Sequence, residues 1–244
     1  MQAIGFLMLA WLLLGQSSSA LVAAQGTDDP DRLYDGREDV AKALAASNIW
    51  ERRLAANVGD YESAWKLARA CYWLGGHAAA DARRAQLDRG MEAARRAIAA
   101  EPRQPTGHFW LAANMGAMAE TAGMRAGLKY RGEIKRELET VLMLDPSFQK
   151  GSADRALGRW YFKVPGLFGG DNQKSLEHLR RSLTFDPDSA PSWSFMADTL
   201  RDMGKREEAR QALQKVLSAP IDPEWGPETR DFQRQATATL QRWH

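Results

Sequence analysis

Apolar residues recur three and four positions apart from about Val40 to Trp243, the spacing that lines one side of an α-helix. Alternating apolar runs joined by hairpin dipeptides, which would announce strands, are missing. The pattern predicts an all-α chain.

Four stretches then repeat one arrangement. The first carries Ala64, Leu67, Ala68 and Cys71, then Gly90, Ala94, Ala97 and Glu101-Pro102. The second carries Leu111, Ala112 and Met115, then Ile134, Leu138, Val141 and Asp145-Pro146. The third has Leu157, Gly158 and Tyr161, then Ser175, Leu179, Ser182 and Asp186-Pro187. The fourth has Trp193, Met196, Ala197 and Leu200, then Ala209, Leu213, Val216 and Pro220. Small residues at Ala68, Ala112, Gly158 and Ala197 let paired helices approach, and each closing Pro stops the second helix. This is the layout of tetratricopeptide (TPR) repeats, paired antiparallel helices of about 34 residues. The fold expected is therefore a TPR-like helical-hairpin solenoid of four degenerate repeats. Capping helices are expected over Val40 to Asn57 and Pro227 to Trp243, because the end units of a solenoid need cover on one side.

The repeats differ in length. From the first-helix Leu or Met to the closing Pro they span 67 to 102, 111 to 146, 157 to 187 and 196 to 220. The last is near the consensus separation of about 25, so the first three carry extra residues. The excess falls at Gly76 to Asp88, Glu120 to Gly132 and Lys163 to Asp171. Two accounts fit: an edge of inserted turns that binds something, or lengthened helices that pack on themselves.

Composition narrows the partners. Of 244 residues, 44% are hydrophobic and 26% charged, and the formal net charge is +2 with both signs interleaved. That balance argues against a nucleic-acid partner, which needs a one-sided basic surface. Phe6 to Leu14 form an apolar run too short to span a bilayer comfortably, followed by small-residue sites at Ser18-Ser19-Ala20 and Val22-Ala23-Ala24. This predicts a signal peptide over residues 1–24, a flexible segment over 25–37 and a solenoid domain over 38–244. The chain is then exported, periplasmic or secreted, and touches membrane only through an uncleaved signal. With Cys71 as the sole cysteine, an exported fold has no internal disulfide and rests on packing.

Three tracts go beyond generic repeat spacing. They are Ala64-Trp65-Lys66-Leu67-Ala68-Arg69-Ala70, Gly107 to Gly116 (GHFWLAANMG), and Leu157 to Val164 with Pro165, leading into Phe168-Gly169-Gly170-Asp171. On these the chain resembles the TatT component family associated with TRAP transporters and, more distantly, the regulator of microtubule dynamics proteins, over about residues 40 to 220. The resemblance implies a periplasmic accessory protein that associates with a solute-binding protein, as a homo-oligomer with a ligand-accessible pore. Members are often lipoproteins; this chain has no cysteine just after its apolar run, so the resemblance does not extend to lipid attachment.

No catalytic, metal-binding or cofactor site is expected. His77, His108, His178 and His244 show no metal-ligand spacing, and no nucleophile elbow, P-loop or dinucleotide fingerprint occurs. Cys71 stands at a seam position and reads as a small hydrophobe. The Val164–Asp171 tract reads as a turn whose Asp171 caps the next helix. In it Leu167 and Phe168 are unusual for a solvated loop and mark a candidate contact edge.

TPR proteins bind along the concave face formed by the first helix of each repeat. In this register that face carries Trp65, Arg69, Tyr72, Phe109, Arg155, Arg159, Phe162 and Arg201. Guanidinium groups can fork onto carboxylates while rings supply rigid apolar contact. Alternatively, the arginines are solvated and the rings cover neighbouring repeats. Two functions are compatible with this face: a scaffold for a protein partner, and a binder of a small apolar acid in its own groove or an oligomeric pore.

Overall fold

The computed structural model describes residues 29–243, apart from the side chains of residues 122 and 124–126. The expected signal, residues 1–24, lies outside the described residues. Eleven α-helices and one short 3-10 turn make up the fold, with no strand among the described residues. They are α1 (Pro30–Asp35), α2 (Val40–Ala56), α3 (Tyr61–His77), α4 (Ala80–Ala100), α5 (Pro105–Ala122), α6 (Met124–Leu144), α7 (Phe148–Lys163), α8 (Asn172–Phe185), α9 (Ala190–Asp202), α10 (Arg206–Ser218) and α11 (Gly226–Gln241). The pairs α3/α4, α5/α6, α7/α8 and α9/α10 are the four expected hairpins, and α2 and α11 lie where caps were expected.

Local chemistry sets the boundaries. Carboxylates of Asp29, Asp39, Asp60 and Asp171 accept from the first free N–H groups of α1, α2, α3 and α8. Glu101, Asp145 and Asp186, each before a proline, leave helical geometry and end α4, α6 and α8. Within repeats, Ala68, Ala112 and Ala197 are buried at the helix contacts. A methyl group added at Gly158 would lie 2.6 Å from Leu179 Cγ and 3.1 Å from the Ser175 carbonyl, so α7 and α8 approach as closely as glycine allows.

The extra residues divide between the two accounts. In the first two repeats they lengthen the helices, to 17 and 21 residues in α3 and α4 and to 18 and 21 in α5 and α6. The fourth repeat has 13 and 13. Only the third repeat keeps a true loop, Val164 to Asp171, around the 3-10 turn Gly166–Phe168.

Residues 29–37 depart from the flexible segment expected over 25–37. Asp29 caps α1, Pro30 starts it, and Tyr34 buries its ring edge-on to Trp50 at 5.8 Å. Arg37, just past this helix, is buried, with its guanidinium 4.9 Å from the Tyr34 ring centre and 5.4 Å from that of Trp73. Its charge is met from the far end of the chain. Arg37 Nε donates to Glu228 Oε1 at 2.9 Å, and one terminal nitrogen donates to Glu228 Oε2 at 2.6 Å and to the Glu224 carbonyl at 2.7 Å. Arg230 forks onto Glu38 at 3.1 and 2.7 Å, and His77 Nε2 lies 2.9 Å from Asp231. The final helix therefore covers the last repeat, packing on α9 and α10, and also reaches the first repeat through long side chains.

Two substitutions at glycines test the packing. Gly158→Leu should lose about 3 kcal/mol or more, because the added side chain must push Leu179 and α8 away. Gly116→Ala, in α5 where a methyl group meets nothing within 4 Å, should gain about 0.5–1 kcal/mol from helix propensity. Urea unfolding followed by far-UV circular dichroism reads both, and equal effects would contradict the close approach.

The meeting of the ends has its own test. Glu228→Ala strands a buried guanidinium and should cost about 3 kcal/mol. A double-mutant cycle with Arg37→Ala should return a coupling above about 1 kcal/mol. Additive effects would mean that the ends do not meet in solution.

Candidate functional site

The first helices α3, α5, α7 and α9 stand side by side and form the floor of the concave face. The structure sorts the eight residues expected there into distinct environments. Arg69, on α3, meets two rings, its guanidinium carbon 4.4 Å from the Tyr34 centre and 5.0 Å from that of Trp65. Its Nε is buried without an acceptor, and its nearest carboxylate, Glu224, stands 3.8 Å away. Tyr72 retains 40% of its surface in contact with solvent and packs on Trp110, ring centres 5.7 Å apart. Burial within the groove, then the Glu120 and Glu228 carboxylates, push its hydroxyl pKa up.

Arg155 and Arg159 share one stripe of α7 but have different surroundings. Arg159 donates to Glu120 on α5 at 3.2 Å and to Asp198 on α9 at 2.8 Å, while its guanidinium carbon lies 4.7 Å from the Phe195 ring centre. It clamps three neighbouring first helices together. Arg155 makes no hydrogen bond or ion pair among the described residues, and burial draws its pKa down against the milder opposing pull of Asp186 and Tyr72. Arg155 is half-buried, so its guanidinium is available to fork a carboxylate.

Phe109 is not on the groove. It is 8% exposed and packs between Trp110 and Phe148, at 5.1 and 5.6 Å, inside the core. Trp110 beside it is 2% exposed and also part of the core, but its ring is covered from the groove side by Tyr72 and Trp225, with ring centres 5.7 and 6.4 Å away. Phe162 is half-buried under Arg159, and Arg201 is exposed at the far end, 5.9 Å from the Trp243 ring centre. On the loop edge Leu167 is 89% exposed, whereas Phe168 lies under the Arg131 guanidinium at 5.5 Å.

The sequence reading missed the segment that lies over this floor. Between α10 and α11 the chain runs Pro220-Ile221-Asp222-Pro223-Glu224-Trp225, and this linker crosses the groove. Trp225 stacks on Trp110 at 6.4 Å with 28° between the planes, and Asp222 pairs with Lys150 at 2.8 Å. Asp222 also accepts from the N–H groups of Glu224 and Trp225, which fixes the turn. Burial opposes its ionisation, but Lys150 and those two N–H groups outweigh it and hold its pKa below the usual carboxylate range. A tryptophan inside a proline-rich linker is the one sequence signal that could have marked this contact.

Elsewhere the polar chemistry is structural. His108 sits buried between Glu137, at 2.7 Å, and the Pro102 carbonyl, at 3.0 Å. Asp154 is buried and gathers His178 at 2.7 Å and Arg181 at 3.1 Å. Cys71 is fully buried, and burial pushes its thiol up to about 12, which leaves it without reactive thiolate. Among the described residues no group of three or more His, Cys, Asp or Glu is placed to hold a metal ion, and no helix is long and apolar enough to cross a membrane.

Solved structures share this architecture. TTC0263, a thermophilic TPR protein of Thermus thermophilus, is 22% identical with a TM-score of 0.65, over 87% of this chain and 98% of that one. MamA is 13% identical with a TM-score of 0.52, over 85% and 98%. At these identities the likeness shows the TPR fold. No curated protein matches the sequence. The model of the regulator of microtubule dynamics protein 1-3 family matches residues 27–168, and that of the TRAP transporter T-component matches residues 107–242. With each match covering more than half of its length, the chain belongs to the TRAP transporter T-component family and, by the same measure, to the regulator of microtubule dynamics protein 1-3 family.

Proposed function

We propose that this helical interaction scaffold is exported, has no catalytic activity, and holds a protein partner in its concave groove, that partner being the solute-binding subunit of a transporter. The observation that carries the reading is Arg155, a guanidinium within the groove with no anion of its own among the described residues. Family membership supports a transport-associated role, and the apolar run with small-residue sites at its end supports export. A small apolar acid is the second reading, because one carboxylate between Arg155 and the exposed Tyr72 ring would satisfy the same cation. Mass spectrometry of ligand retained by purified protein separates the two readings.

Arg155→Ala should leave stability within about 1 kcal/mol, as at other sites without structural partners. It should weaken capture of the partner from periplasmic extract by roughly 2 kcal/mol, the scale of a lost charge-assisted contact. Arg159→Ala should instead cost about 1 kcal/mol of stability, because it releases Glu120 and Asp198. If Arg155→Ala unfolds the chain as badly as Gly158→Leu, the arginine is structural and the groove reading fails.

Export is checked by intact mass. The mature chain should begin at Gln25 if Val22-Ala23-Ala24 is cut, or at Leu21 if the earlier site is cut. Secreted protein retaining Met1 to Ala20 would refute export by a cleaved signal.

A further inference from the structure

The linker over the groove is held unlike the rest of the molecule. From Pro220 to Trp225 no residue is buried: Ile221 is 46% exposed and Trp225 is half-buried. Its attachments are Asp222 to Lys150, the distant Glu224 carboxylate to Arg69, Trp225 on Trp110, and one backbone bond, the Glu224 carbonyl accepting from Arg37 at 2.7 Å. The Lys150 and Glu224 side chains are each at least 60% exposed, so water competes for both pairs.

The floor beneath is left with unmet donors. Arg69 Nε and Trp110 Nε1 are both buried with no acceptor, and Arg155 has no partner among the described residues. Buried donors left unpaired are costly and rare in finished structures. The linker thus brings the right kinds of group, a carboxylate beside an indole, and satisfies the floor only in part. A segment with one further acceptor, free of the tether to α10 and α11, would satisfy it better.

We infer that the Asp222–Trp225 segment is an internal stand-in for the partner, and that the partner enters as an extended polypeptide segment carrying a carboxylate beside a large aromatic ring. This rests on the groove being the partner site. On entry the external ring replaces Trp225 on Trp110, and the external carboxylate meets Arg69 more closely than Glu224 does. Arg155 takes a second carboxylate, and the linker lifts away, giving up the bond from Arg37 to the Glu224 carbonyl while Arg37 keeps the Glu228 carboxylate.

The test uses the full chain and a fluorescein-labelled peptide copying residues 219–230. In the Glu224→Ala/Trp225→Ala chain the groove is uncovered, and the peptide should bind at least tenfold more tightly than to the unsubstituted chain. Adding Arg69→Ala should weaken that binding about tenfold, and a peptide with the same Glu and Trp replaced by Ala should not bind. Equal affinity for both chains, no binding to either, or indifference to Arg69→Ala would overturn the proposal. Circular dichroism checks that the double variant is folded. Should it not fold, hydrogen exchange on the unsubstituted chain decides. Saturating peptide should speed exchange of the Glu224 and Trp225 amides, and unchanged rates would overturn the proposal. Peptide binding without capture of a solute-binding subunit would uphold this inference and reject that partner. Capture that depends on Arg155, with no peptide binding, would do the reverse.

Discussion

A guanidinium drawn out of water must be met by a carboxylate or it destabilises the fold that buries it. Arg37 is so placed by the short helix before it, which seats Tyr34 on Trp50 and leaves the arginine between Tyr34 and Trp73. The carboxylate that answers, Glu228, is 191 positions away in the sequence. Four stacked hairpins curve far enough for a helix leaving the last repeat to bring Glu228 back to the first. Once that pair forms, the linker leading into α11 has to cross the concave face. The covering of the groove is thus a consequence of where one charge is buried.

The cations of the groove then divide by whether the fold has already used them. Arg159 is committed to Glu120 and Asp198, each on a different helix, and ties α5, α7 and α9 into one surface. Arg155, four residues earlier on the same helix, has no such role. Arg69 is intermediate, held by two rings and left with a carboxylate too far for a hydrogen bond. Composition and stripe position are the same for all three, so only the neighbouring helices decide which are structural and which can meet a ligand.

That division explains what could be read from the sequence. The hairpins were legible because small residues, seam residues and closing prolines recur at fixed offsets, and each offset reports a contact within one repeat or its neighbour. The phase of α5 was not. Its tract GHFWLAANMG is apolar nearly all round, so spacing put Phe109 on the groove, whereas both Phe109 and Trp110 are buried and it is Trp110 that Tyr72 and Trp225 cover. The closure was invisible for another reason. Pairs such as Arg37 with Glu228 and Glu38 with Arg230 join segments that share no repeat, and nothing periodic announces them. The third repeat was readable because proline and glycine break it locally, with Asp171 capping α8.

The same weakness of contact gives the linker its physical role. A partner can move the closed and open forms only by the difference in its affinity for them. If the closed form outnumbers the open one by about a hundred to one, apparent affinity falls about a hundredfold from its intrinsic value. Exposed pairs such as Lys150 with Asp222 contribute only about 0–1 kcal/mol each, and buried donors left unmet beneath them oppose closure by about 1–3 kcal/mol each. The linker is thereby kept from binding its own groove strongly. Arg37 and Glu228 set the opposite limit: their buried fork holds α11 near the first repeat even with the linker lifted, so the groove opens without the ends coming apart.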